Sequence, residues 1–189
     1  MKLNQLPNLI SIFRFILVAP VIWSLLHGQY VTALVLFAVA GFSDALDGFL
    51  AKHFHWVSRL GSVLDPLADK LLLVSCYLTL AWLGFIPVWL VTVVILRDVL
   101  IVIGGAIFHL LFGQFEMAPS RISKLNTFFQ IIFVLAVVFY HGDFLLKPWI
   151  IEALGYIVLV TTITSGADYV WVWGHKAVQA AKQKQQHSS

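Results

Sequence analysis

Apolar residues gather into six long runs along this chain: roughly Leu9 to Leu26, Tyr30 to Phe54, Ser62 to Leu83, Ile86 to Phe112, Ile122 to Tyr140 and Pro148 to Trp173. Each comes close to the ~20 residues that a helix needs to cross a ~30 Å hydrocarbon core. The breaks carry turn-forming residues: His27-Gly28-Gln29, Gly84 to Pro87, Gly113 to Ser120, and His141-Gly142-Asp143. The pattern predicts an all-α integral membrane protein with six transmembrane helices. These form one membrane domain over residues 1–176. From about Ala177 the chain turns polar, and a frayed tail is expected over 177–189. Lys2 followed by an apolar run has the outline of a cleaved signal peptide. Asn8 and Arg14 interrupt that run, however, and no small-residue cleavage site follows, so the first stretch is read as a retained helix.

Composition agrees with a bilayer as the solvent. Hydrophobic residues make up 60% of the 189 positions and charged residues 11%, against about 25% charged in a typical soluble domain. The basic balance is only +3, and no basic run with interleaved aromatics is present, which argues against nucleic acid as a partner. The single cysteine, Cys76, lies in an apolar run and reads as a small packing residue. Basic residues also set the orientation. With six spans, one side receives Lys2, Lys52, Arg59, Arg121, Lys124, Lys176, Lys182 and Lys184, whereas the opposite loops hold Lys147 alone. The positive-inside rule then places both termini in the cytoplasm.

Against this background the intramembrane charges stand out. Asp44, Asp47, Asp65, Asp69, Arg97, Asp98 and Arg14 fall inside or at the edge of apolar runs. An ionised side chain there costs at least ~2.5–3.5 kcal/mol on insertion scales, so its default reading is functional. A buried ion-pair network with Lys70 and Arg97 is the alternative. The four carboxylates between positions 44 and 69 outnumber the neighbouring bases, however, and a divalent cation fits better. Asp44 and Asp47 are spaced i, i+3 on the second helix; Asp65 and Asp69 are i, i+4 on the third, so each pair shares a face. The connecting turn brings the two pairs to similar depth at the cytoplasmic side. Four hard oxygen donors suit Mg²⁺ or Mn²⁺, and two such ions are the expected means of stabilising phosphoryl chemistry. Gly48, one residue past Asp47, leaves room for a ligand to approach the backbone, and Lys52 on the next turn is placed to meet negative charge.

Residues 44–69 contain D-x2-D-G-x2-A-K, eight further residues, then G-x3-D-x3-D. This resembles the signature of the CDP-alcohol phosphatidyltransferases, with Lys52 standing where the family has arginine. The charge is kept but the bidentate fork is lost. Pro7-Asn8, Ser11 and Arg14 near the start also resemble the family. The resemblance implies a metal-dependent transferase of phospholipid biosynthesis. Asp44, Asp47, Asp65 and Asp69 would hold two divalent ions on the pyrophosphate of CDP-diacylglycerol. Asp69 would also act as the base for the acceptor hydroxyl. Asn8, Gly48, Lys52 and Ser58 would contact the CDP-lipid, and CMP would leave towards the cytoplasm. The family also implies a homodimer.

The acceptor is read from a second segment. Ile122-Ser123-Lys124, Asn126-Thr127 and Gln130 resemble the I-S-K-x-N-T-x2-Q stretch of eukaryotic-type cardiolipin synthases. Phosphatidylglycerophosphate synthases usually have lysine where Asn126 stands, and a second arginine at the position of Gly105. Both departures remove positive charge that a phosphorylated acceptor would want. They favour phosphatidylglycerol as acceptor and cardiolipin as product, with glycerol 3-phosphate as the alternative. Arg97, Arg121, Lys124 and Asn126 are the acceptor-binding candidates, although Arg121 and Lys124 also suit simple cytoplasmic anchoring. A bacterial inner membrane is the expected location. His53 and His55 read as solvated-loop residues, and Asp98 as a local partner of Arg97. Trp149, Trp171 and Trp173 read as interfacial anchors, and Asp168 has no assigned role. A cation transporter is the alternative from a different class; it lacks support from any internal repeat or midplane placement of the acids.

Overall fold

The structure is a computed structural model that describes the backbone of residues 6–54, 61–112 and 120–186, and the side chains of 10–44, 67–105 and 120–172. Among the described residues the chain forms six α-helices and no strand: α1 (Leu6–Leu26), α2 (Tyr30–Phe54), α3 (Gly61–Trp82), α4 (Val88–Phe112), α5 (Arg121–His141) and α6 (Pro148–Gln186). The six apolar runs therefore each become a helix. Among the described residues, three stretches, Val88–Gly105, Arg121–His141 and Pro148–Val172, are long and apolar enough to cross a membrane, while Ile10–Leu26 and Tyr30–Asp44 are shorter apolar stretches.

Helix ends follow local chemistry. At the end of α1, Gly28 has φ +69°, its N–H bonds the Leu25 carbonyl, and the Gln29 N–H reaches back to the Ser24 carbonyl at 2.8 Å. The end of α3 repeats the device: Gly84 at φ +76°, with Gly84 N–H on Ala81 and Phe85 N–H on Leu80 at 2.9 Å. Both are Schellman closures, which need a left-handed residue and so favour glycine. Ser120 opens α5 as an N-cap, its hydroxyl accepting the Ser123 N–H at 3.2 Å.

Several helix ends differ from the apolar runs, and two of the differences have a local cause. Ile86 was expected to open the fourth helix, but α4 starts at Val88. The ring of Pro87 disfavours helical backbone at the residue before it, and Ile86 is buried in the turn instead. The polar tail expected to fray continues α6 to Gln186. Alanine, lysine and glutamine are strong helix formers, so the helix outlasts its apolar face.

The chain divides into two compact units. The first comprises residues 1–87 and 134–148, and the second 88–133 and 149–189. In the first, α1 packs on both α2 and α3. A stripe on α1 made of Ser11, Arg14, Leu17, Val18, Val21, Ser24 and Leu25 is buried. It meets a core that includes Ala33, Ala40, Ala68, Cys76, Tyr77 and Leu80. The stripe repeats at three- and four-residue steps, the face that a helix presents to a neighbour. In the second unit Leu90, Val94, Phe133 and Val158 are buried, and Gly155 lies beside Phe133 and Leu90. Large apolar side chains such as Phe42, Trp82, Leu96, Val102 and Trp171 face outward, as lipid-facing positions do. Hydroxyls within the helices are satisfied internally: Ser43, Thr79, Thr92 and Thr164 each donate to the carbonyl four residues earlier. Such bonding matches the demand of a solvent that offers no partners.

Candidate active site

The acidic centre lies in the first unit. Arg14, carried on the buried stripe of α1, has a side chain only 1% exposed, while those of Asp44 and Asp69 are 51% and 47% exposed. Its Nη2 lies 3.1 Å from Asp44 Oδ1, and its Nη1 donates to Asp69 Oδ1 in a short contact. One guanidinium thus holds a carboxylate from α2 and a carboxylate from α3. Asp44 and Asp69 lie 25 positions apart in sequence yet meet the same guanidinium.

Local packing explains the arrangement. On α2, Ala40 precedes Asp44 by one turn and is fully buried; on α3, Ala68 beside Asp69 is also fully buried. Small residues at these points let the helices approach closely, a habit of membrane bundles. Asp47 and Asp65 stand three and four residues along the same helices, so their backbone positions fall on the same faces. Their side chains, those of Asn8 and Lys52, and the surroundings of Gly48 lie outside the described residues, as does the whole of Ser58.

Asp44 and Asp69 fit a divalent cation. They offer hard carboxylate oxygens from two helices at a locus that already accommodates one positive group, and about half of each side chain remains exposed. Arg14 stands out in the sequence as an intramembrane charge and as part of the N-terminal segment that resembles the family, but its partners do not. Lys70 and Arg97 are the counter-charges of the alternative ion-pair reading, and Arg97 pairs with Asp98 in the second unit. The signal that marked Arg14 was a charged residue at a core position of an apolar run.

The second unit contains a separate polar seam. Arg97 Nη1 donates to Asp98 Oδ1 at 2.8 Å, and Nη2 donates to Ser123 Oγ at 2.6 Å and to Ser165 Oγ in a shorter contact. The Tyr169 ring lies 6.0 Å from the guanidinium carbon. One turn beyond Ser123, Asn126 is fully buried, and its Oδ1 accepts from Thr161 at 2.9 Å and from Thr162 at 3.0 Å. Gln130 continues the buried face of α5. The four acceptor candidates are therefore divided. Arg97 and Asn126 lie in the seam, whereas Arg121 and Lys124 are exposed on the other side of α5. Asp98 is the local partner of Arg97, as expected. Thr161, Thr162 and Ser165 were not singled out from the sequence. Their signal was a run of small hydroxyl residues inside an otherwise apolar span.

An all-helical protein with apolar spans and an acidic centre on paired helices is thus defined. The model of the CDP-alcohol phosphatidyltransferase family matches residues 4–164, and the chain belongs to that family. It is 35% identical to a cardiolipin synthase (CMP-forming) of Rattus norvegicus over 95% of this chain and 64% of the rat protein. Its human counterpart is 34% identical over 94% and 64%. A CDP-diacylglycerol–glycerol-3-phosphate 3-phosphatidyltransferase of Bacillus subtilis is 31% identical over 85% of this chain and 86% of that protein. The chain thus spans less than two thirds of the rat and human relatives it matches. Family membership leaves the cation-transporter reading without support.

Proposed function

We propose that the protein transfers a phosphatidyl group from CDP-diacylglycerol to the hydroxyl of an alcohol acceptor, releasing CMP. The observation that carries the reading is the convergence of Asp44 and Asp69 on one guanidinium, in a chain whose family acts on CDP-alcohols. Asp44, Asp47, Asp65 and Asp69 would hold two Mg²⁺ or Mn²⁺ ions, which when bound supply neutralising charge to the pyrophosphate and the departing CMP. Asn8, Gly48, Lys52 and Ser58 bind the CDP-lipid. Asp69 accepts the proton of the acceptor hydroxyl as its oxygen bonds to the lipid-bearing phosphorus. The bond from that phosphorus to the CMP oxygen breaks, and the electron pair leaves with CMP. The half-exposed carboxylate of Asp69 is open to such a hydroxyl.

Phosphatidylglycerol is the proposed acceptor and cardiolipin the product. Asn126 is buried with its amide oxygen engaged by two threonines, and it brings no positive charge to a phosphorylated acceptor. Arg121 and Lys124, exposed on α5, are the proposed contacts for an anionic acceptor headgroup, while Arg97 is engaged in the seam by Asp98 and Ser123. The second reading, glycerol 3-phosphate giving phosphatidylglycerophosphate, is favoured by the Bacillus relative, which this chain matches over most of its length. Purified protein with Mg²⁺ and CDP-diacylglycerol separates the two. Cardiolipin formed with phosphatidylglycerol supports the first, and phosphatidylglycerophosphate formed from glycerol 3-phosphate supports the second.

The same reading places all six helices across a bilayer with both termini cytoplasmic, on the strength of the basic-residue asymmetry. A bacterial cell membrane is the proposed location, supported by the Bacillus match, and a homodimer is the proposed assembly.

A further inference from the structure

The acidic centre contains a cation of its own. Arg14 is almost completely buried, and a buried guanidinium requires anionic partners because its desolvation is otherwise uncompensated. Its partners include Asp44 and Asp69, one from each helix that carries the acidic signature. The oxygens it engages are Oδ1 of both residues, and these belong to the donor set proposed for the divalent ions. A hard divalent cation coordinates carboxylate oxygens directly, so it competes with the guanidinium for the same lone pairs. The arginine stem lies in the packed stripe of α1 between Ser11 and Leu17. The guanidinium is therefore tethered at the site.

From this geometry we infer that Arg14 is a resident counter-cation, a positioning residue that stands in for metal between Asp44 and Asp69 and yields their oxygens when divalent ions load. This rests on the metal-dependent reading of the centre. Two consequences follow by linkage. In the metal-free protein Arg14 clamps α1 to α2 and α3, where Asp44 and Asp69 would otherwise repel each other. In the loaded protein its hold on those oxygens is relaxed, so its contribution to stability shrinks. The same coupling read from the metal's side means that Arg14 weakens metal binding. A merely structural arginine would behave differently, stabilising the protein equally with and without metal.

The test uses the full chain in detergent micelles as wild type, Arg14→Gln and Arg14→Lys. Two readouts are taken: titration with Mn²⁺, followed by the paramagnetic resonance of the free ion, and thermal unfolding in chelator and in saturating Mn²⁺. Loss of a charge-assisted competitor is expected to lower the apparent Mn²⁺ Kd of Arg14→Gln by about tenfold. Its unfolding midpoint should fall in chelator and recover most of the loss in Mn²⁺. Arg14→Lys, able to meet one carboxylate rather than two, should lie between the others and also keeps the test open if the glutamine variant does not fold without metal. An unchanged or weaker Mn²⁺ affinity in both variants, or an equal loss of midpoint with and without Mn²⁺, overturns the inference. Asp47→Asn separates this failure from that of the underlying reading. If wild type shows no saturable Mn²⁺ binding, or Asp47→Asn leaves binding intact, the metal reading fails and takes this inference with it.

Discussion

Asp69 carries two roles in the proposed chemistry, as a ligand for a divalent ion and as the proton acceptor, while also receiving a hydrogen bond from Arg14. Asp69→Asn keeps an oxygen that can accept from Arg14 but loses the charge and the base. CMP release should fall by about 10²–10⁴-fold, the usual size of a general-base contribution, or further if metal binding is also weakened. Steady-state CMP release on folded, size-exclusion-pure protein checks this, and retention of more than a tenth of wild-type activity would contradict it. Arg97 presents the opposite case, in which stability is the readout. It is 5% exposed and lies 2.8 Å from an Asp98 that is itself 10% exposed. Removing one partner of a buried pair typically costs ~3–5 kcal/mol, while replacing both with apolar groups costs far less. Arg97→Leu should therefore lower unfolding stability sharply, and the Arg97→Leu, Asp98→Leu double variant should regain much of it in a denaturation series. An additive double variant would show that the pair is not coupled.

At the scale of elements, helix ends and the α5–α6 seam can be tested separately. Gly28 and Gly84 adopt φ +69° and +76° with open space around the Cβ position. Alanine there meets only backbone strain, about 1–2 kcal/mol, so each substitution should lower the unfolding midpoint while leaving specific activity intact. In the seam, Thr161 has a competing acceptor in its own helix, the Ile157 carbonyl at 2.8 Å, as well as Asn126 Oδ1 at 2.9 Å. Thr161→Val should cost only about 0.6 kcal/mol, typical of polar contacts within membrane bundles. The pair Thr161→Val, Thr162→Val leaves the buried Asn126 oxygen without either hydroxyl and should cost more than the two singles together, because an orphaned buried acceptor bears its full desolvation penalty. Element identity was legible because long apolar runs and glycine turns are local signals. Less legible were features set elsewhere. Ile86 reads as helix by hydrophobicity, yet its neighbour Pro87 keeps it in the turn. The polar end of α6 reads as tail by hydrophobicity, yet its alanines, lysines and glutamines continue the helix to Gln186.

Across the whole molecule, the signature acids were legible because charge is rare in an apolar chain and because helical spacing puts each pair on one face. Arg14 was visible for the same reason, but its partners were not, since Asp44 and Asp69 lie 30 and 55 residues away and local sequence carries no record of that contact. The hydroxyls of α6 around Asn126 and Arg97 were hidden for a related reason: threonine and serine are ordinary in a span until their partner is known. The orientation of the helices can be tested by labelling. A cysteine introduced at Leu145, fully exposed beside Lys147, should react with a membrane-impermeant thiol reagent added outside intact cells. Cysteines at the C-terminal end should not react, and the reverse labelling pattern would contradict the proposed topology.

The acids joined through Arg14 are proposed to form a metal-dependent phosphatidyl-transfer site. CMP release from CDP-diacylglycerol, measured on purified protein with phosphatidylglycerol or glycerol 3-phosphate and with Mg²⁺ or excess chelator, tests it most directly. Release should need both the divalent ion and an alcohol acceptor, disappear in chelator, and yield cardiolipin with phosphatidylglycerol. Release of no CMP with either acceptor, or release indifferent to chelation, would contradict it.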